Sequence, residues 1–135
     1  MLHDIKLIML VDDNKIDNFF HERAIKKFDA QIEVIPFLSA RKALDFLLEQ
    51  DPNKLPEIIF LDINMPGMNG WESLDEYKRL EPERKKSMII TMLSTSENPD
   101  DINAASGFGI DFRNKPLTLD ILTETKMRYQ DFINA

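Results

Sequence analysis

The sequence predicts an α/β fold, a doubly wound parallel sheet with helices on both faces. Three observations point there: short apolar runs alternate with amphipathic stretches five times, each run stops at a polar or turn-forming cluster, and acids, a hydroxyl and a lysine gather at those stops. Strict strand-helix alternation demands right-handed crossovers, which lay the strands parallel and make a three-layer domain.

The elements follow in order. Ile5-Lys6-Leu7-Ile8-Met9-Leu10-Val11 reads as a buried strand that runs into Asp12-Asp13-Asn14,. Residues 15–28 have helical periodicity; at 100° per residue Phe20, Ala24 and Phe28 form an apolar stripe flanked by Ile16 and Ile25,. Phe19 instead falls among Lys15, Glu22, Arg23 and Lys26, on the polar face. A second strand over 32–37 leads to a helix over 39–50, with Ser39 as its N-cap,. The third strand, 57–61, ends at Asp62 and the Pro/Gly stretch Asn64-Met65-Pro66-Gly67-Met68-Asn69-Gly70,. A helix over 69–80 stops before Pro82, and a fourth strand spans 88–93,. Asn98-Pro99 pairs a cap with proline at the first helical position and opens a short helix to Ala105,. A weaker strand over 110–113 precedes a last helix, capped by Thr118 and running to Phe132.

Composition narrows the function classes. With 135 residues and 43% hydrophobic content the chain supports one core, so a single domain over 1–135 with no output domain is expected,. A net charge of -7 opposes any broad contact with a phosphate backbone, which excludes nucleic acid as the expected partner,. No cysteine means no disulfide frame and no thiolate metal site,. Neither a signal-peptide h-region nor an apolar run of transmembrane length is visible, so a cytoplasmic protein without a membrane partner is expected,.

In an open parallel sheet, ligands bind beyond the carboxyl ends of the strands. Asp12, Asp13, Asp62, Ser94 and Lys115 lie just past four such ends. Three carboxylates brought together repel one another and raise each other's pKa, a cost relieved by an ammonium or a cation. Lys115 supplies one charge. A hard divalent ion with oxygen ligands suits the remainder, and Mg²⁺ fits a site of one or two carboxylates plus phosphate and water.

Val11-Asp12-Asp13-Asn14, Leu61-Asp62-Ile63-Asn64-Met65-Pro66-Gly67-Met68-Asn69-Gly70, Ser94 and Lys115-Pro116 occur in the order found in response-regulator receiver domains, which the chain resembles over nearly its whole length. The resemblance implies a flavodoxin-like (βα)5 sandwich with strand order 2-1-3-4-5. It implies that Asp62 accepts a phosphoryl group from a histidine kinase or histidine phosphotransfer protein. Asp13, Asp62 and the backbone carbonyl of Asn64 would hold Mg²⁺, with Asp12 reaching it through water. Lys115 would neutralise developing charge, and Pro116 would form a cis peptide with Lys115. Ser94 would move to the phosphoryl group, holding the place where relatives more often have Thr. Phe112, three residues before Lys115, would be the switch aromatic. The segment Phe108-Gly109-Ile110-Asp111 is one residue shorter than the common pattern.

Phe19, beside the acidic pocket, would pack against the helix bearing the donor histidine. The downstream partner is a protein that the sequence does not identify, and a monomer is expected. Asn64 and Ser96 are small and neutral, so self-dephosphorylation is expected to be moderate to fast. Two other site chemistries fail on particular residues. An EF-hand loop beginning at Asp62 would meet Pro66 at a ligand position and Ser73 in place of the bidentate Glu,. A dehalogenase-type phosphatase needs an acid two residues after its nucleophile, where Asn64 stands,. A relay intermediate, and a constitutive interaction module never phosphorylated in the cell, remain as alternatives to direct signalling.

Overall fold

The computed structural model describes residues 4–85 and 87–135. Five strands, β1 (Leu7–Val11), β2 (Glu33–Phe37), β3 (Ile58–Leu61), β4 (Ile89–Ser94) and β5 (Asp111–Asn114), form one sheet. They are all parallel, in the order β2-β1-β3-β4-β5. The helices are α1 (Lys15–Phe28), α2 (Ala40–Glu49), α3 (Gly70–Lys78), the single turn α4 (Pro82–Lys85), α5 (Pro99–Phe108) and α6 (Leu119–Ile133). This is the flavodoxin-like α/β fold expected from the sequence, with α4 and a 3-10 turn over Pro52–Lys54 added in the connections.

The three central strands are buried on both faces, which is why they read as continuous apolar runs,. Alternate side chains divide the core. Met9, Val11, Ile59, Leu61, Ile90 and Met92 meet Ala43 and Leu47 of α2 and Leu74 of α3. Ile8, Leu10, Ile58, Phe60 and Leu93 meet Ile25 of α1 and Leu122 and Tyr129 of α6. Each such aliphatic side chain contributes roughly 1.5–3 kcal/mol against remaining in water. Pro36 is tolerated because β2 is an edge strand, where a missing N–H need not break a ladder,.

Ser39, Asn98 and Thr118 cap α2, α5 and α6, each accepting a backbone N–H. Asn69 and Glu72 form a reciprocal capping box that starts α3 directly after the Asp62 loop,.

Several boundaries differ from expectation. α5 continues one turn beyond Ala105, since Gly107 costs a helix only modest stability; the stop comes at Gly109, which adopts φ 71° and donates its N–H to the carbonyls of Ala105 and Ser106,. Ser94 is the last residue of β4 rather than the first beyond it. The α1 stripe is the larger correction. Asn18, His21 and Ile25 face inward, while Ile16 and Phe20 are exposed together with Phe19. Hydropathy misled here because Asn18 has a polar reason to be inside: its Nδ2 donates to the carbonyl of Asp12 at 3.0 Å,.

Candidate functional site

Backbone pairing fixes the strand ends. The N–H of Asp12 donates to Phe37 O and that of Asp62 to Val11 O, each at 3.0 Å, while Lys115 N–H donates to Ser94 O at 2.9 Å. Four chemistry-bearing residues are thereby held by main-chain bonds before any side chain acts. Beneath Asp62 the loop turns sharply. Gly70 N–H donates to Ile63 O at 2.9 Å, and a Cβ at Gly70 would stand 2.7 Å from Asp62 O and 2.9 Å from Ile63 Cα. Glycine is required there because the start of α3 lies against the backbone of Asp62 and Ile63,.

The structure brings Asp12, Asp13, Asp62 and Lys115 together. Carboxylate oxygens of the three acids lie within 4.8 Å of one another. Asp12 and Asp62 are buried and Asp13 is exposed. Lys115 Nζ is 2.6 Å from Asp12 Oδ2, 2.9 Å from Asp17 Oδ2 and 3.6 Å from Asp62 Oδ2. Burial pulls the ammonium's pKa down, but hydrogen bonds to Asp12 and Asp17 and the charge of Asp62 outweigh it and push it up to about 12,. The Asp62 carboxyl goes the other way from an isolated acid. Burial raises its pKa, the Lys115 charge opposes that rise, Asp12 adds to it, and the neighbouring N–H groups of Ile63 and Asn64 oppose it again.

The donor set consists of hard oxygen atoms, with one ammonium set against several carboxylates. That composition fits a divalent cation such as Mg²⁺. Asn64 follows directly, exposed in the loop after β3. The Lys115–Pro116 peptide bond is cis. Ser94 is fully buried, and its Oγ accepts the N–H of Ser96 at 3.2 Å. Phe112 lies half-buried on β5, in register with Met92 of β4. Phe19 is outside the acid cluster, 56% exposed on α1, edge-on to Phe20 and with the Arg23 guanidinium 5.7 Å from its ring centre.

Two nearby residues escaped the sequence analysis. Asp17 is a direct partner of Lys115, from the first turn of α1. Its position one turn after the paired acids was the available signal, since a first-turn side chain lies close to the preceding strand end. His21 is buried on the same helix face as Asn18, and burial together with the Lys115 charge holds its imidazole below the usual range, against Asp17 and Asp12. Nothing in its spacing marked it.

A strand-end acid cluster with one lysine, set on a 2-1-3-4-5 parallel sheet, defines a class of signalling domain. The chain belongs to the response regulator receiver domain family, whose model matches residues 8–125. It is 33% identical over 103 residues to the response regulator Rcp1 of Synechocystis, covering 74% of this chain and 69% of that one. The crystal structure of a two-component response regulator from Cytophaga hutchinsonii superposes with a TM-score of 0.85 at 31% identity, covering 96% of this chain and 99% of that chain. A receiver protein from Dyadobacter fermentans gives 0.82 at 29% identity, covering 92% of this chain and 97% of that one.

The chain is therefore a receiver domain of two-component signalling. Phosphorylation on Asp and Mg²⁺ binding in the acidic pocket are general to the family, as are contacts with histidine kinases or phosphotransfer proteins and with downstream targets. Such domains are signalling elements rather than turnover enzymes. Among the described residues no helix is long and apolar enough to cross a membrane.

Proposed function

We propose that Asp62 is the phosphoacceptor of this receiver and that the domain signals through changed protein–protein contacts. The observation that carries this is the placement of the buried Asp62 carboxylate 3.6 Å from Lys115 Nζ and within one acid cluster with Asp12 and Asp13. An oxygen of Asp62 attacks the phosphorus of a phosphohistidine, the N–P bond breaks, and an acyl phosphate forms as the imidazole leaves. Phosphoryl transfer asks little covalent chemistry of a protein; alignment and charge neutralisation dominate.

Lys115 provides fixed positive charge, with its pKa pushed up to about 12 by its acid partners against the effect of burial. Asp13, Asp62 and the Asn64 carbonyl would hold Mg²⁺, with Asp12 nearby through water. When bound, the ion neutralises charge on the transferring phosphoryl oxygens. Asp62 itself needs that help, because burial raises the cost of its anionic form. Ser94 donates a hydrogen bond to the new acceptor oxygens, and Phe112 turns inward in response. Phe19 offers an exposed apolar contact to the donor helix.

The test is intact mass after incubation with Mg²⁺ and a small phosphodonor. A single phosphoryl adduct is expected in the wild type, and none with chelator or in Asp62→Ala. An unmodified wild type would instead favour a constitutive interaction module.

A further inference from the structure

We infer that Trp71, Ser96 and Asp101 are positioning residues for Ser94, tying the switch hydroxyl back to the loop of Asp62 through a chain of hydrogen bonds. This rests on the phosphoacceptor role of Asp62 proposed above. The chain starts at Ser94 Oγ, which accepts the backbone N–H of Ser96 at 3.2 Å. Ser96 Oγ then donates to Asp101 Oδ2 at 2.5 Å while accepting Asn98 N–H at 3.2 Å. Asp101 Oδ1 accepts the indole N–H of Trp71 at 3.2 Å. Trp71 directly follows Gly70, the residue whose Cα lies against the carbonyl of Asp62. The chain of bonds thus runs from Ser94 at the end of β4 to the first turn of α3, which packs against the backbone of Asp62.

The connection is built to transmit a small shift. Trp71 stacks on Phe108 with ring centres 5.8 Å apart and planes 13° from parallel, and Lys78 Nζ lies 4.1 Å from the Phe108 ring centre. The indole of α3 is thereby packed onto the Phe108 ring of α5. Asp101 uses both carboxylate oxygens, one towards Trp71 and one towards Ser96, and hydrogen bonds to a carboxylate are the stronger, charge-assisted kind,. When Ser94 turns to a phosphoryl group on Asp62, its bond from Ser96 N–H is strained or lost, and Ser96 pulls on Asp101 and Trp71. Linkage makes the effect reciprocal: loosening the chain favours the engaged position of Ser94.

Trp71 is the one tryptophan in the sequence, so its emission reports on the chain directly. Wild type, Ser96→Ala, Asp101→Ala and Trp71→Phe would be treated with Mg²⁺ and acetyl phosphate, with intact mass followed in all four and tryptophan emission in the three that retain Trp71. In the wild type, emission should change with the time course of the adduct. In Ser96→Ala the adduct should still form while the emission change shrinks severalfold. Asp101→Ala and Trp71→Phe should take up phosphate on the order of fivefold faster, an effect that a purely structural role, read in melting temperature, would not produce. An adduct in the wild type without an emission change, or an undiminished change in Ser96→Ala, would overturn the coupling and leave Asp62 as acceptor. No adduct in the wild type would overturn both.

Discussion

Gly70→Ala tests how tightly the loop after Asp62 is built. The added Cβ would stand 2.7 Å from Asp62 O, 2.9 Å from Ile63 Cα and 2.9 Å from Met92 Cε. Met92 can swing its methyl aside. The other two neighbours are backbone and cannot, so the strand end or the start of α3 must move. Overpacking of this kind costs about 1–3 kcal/mol, and the better helix propensity of alanine returns at most about 1 kcal/mol. The net loss is about 1–2 kcal/mol, or roughly 4–8 °C in Tm for a domain of this size. Because the displaced atoms belong to Asp62 and its neighbour, phosphoryl uptake should also slow by on the order of tenfold. Gly109→Ala is the control: its φ of 71° makes it costly by about 1–2 kcal/mol, but nothing lies within 4 Å of its Cβ position,. Thermal melts and uptake from a small phosphodonor would be compared for both. A Gly70→Ala protein with unchanged Tm and uptake, or a Gly109→Ala protein slowed as much as Gly70→Ala, would refute the reasoning.

Three further outcomes follow from the charges and the surface. Burial raises the pKa of Asp62 in the folded state, so its ionised form opposes folding once the pH exceeds the unfolded value,. Asp62→Asn should therefore be more stable than wild type at neutral pH in chelator, with the gap closing as pH falls through the raised pKa towards and below 3.8; a gap independent of pH would contradict this. Lys115 has the opposite sign: with its pKa raised from 10.5 to about 12, it contributes stability that is full below 10.5 and lost as pH rises through 12. Lys115→Met should lose about 2 kcal/mol in urea unfolding at pH 7, and an equally stable variant would remove the ammonium as countercharge. Phe19→Ala should slow transfer from a phosphohistidine donor while leaving small-molecule phosphorylation unchanged, and equal loss with both donors would exclude docking at Phe19.

Patterns carried in local sequence were the ones that could be read. The runs ending at Asp12, Asp62 and Ser94 are apolar on both faces because the central strands have helices above and below, and Ser39, Asn98 and Thr118 announce their helices by simple capping chemistry. The acid cluster followed, since parallel strands must bring their carboxyl ends to one edge. What periodicity could not show were pairings set by tertiary geometry. Asp17 meets Lys115 across 98 positions of sequence, and Trp71 meets Asp101 across 30. The inward face of α1 misled for a related reason: Asn18 hydrogen-bonds behind Asp12, so a polar residue occupies ground that hydropathy assigns to Phe20.

The most direct measurement is to locate the phosphoryl group. The protein would be phosphorylated with a phosphohistidine donor and Mg²⁺, reduced with borohydride so that an acyl phosphate leaves homoserine, then digested and mapped by mass spectrometry. Conversion at position 62 alone is the predicted result. Conversion at Asp12 or Asp13, or none at Asp62 despite phosphate uptake, would contradict the role assigned to it.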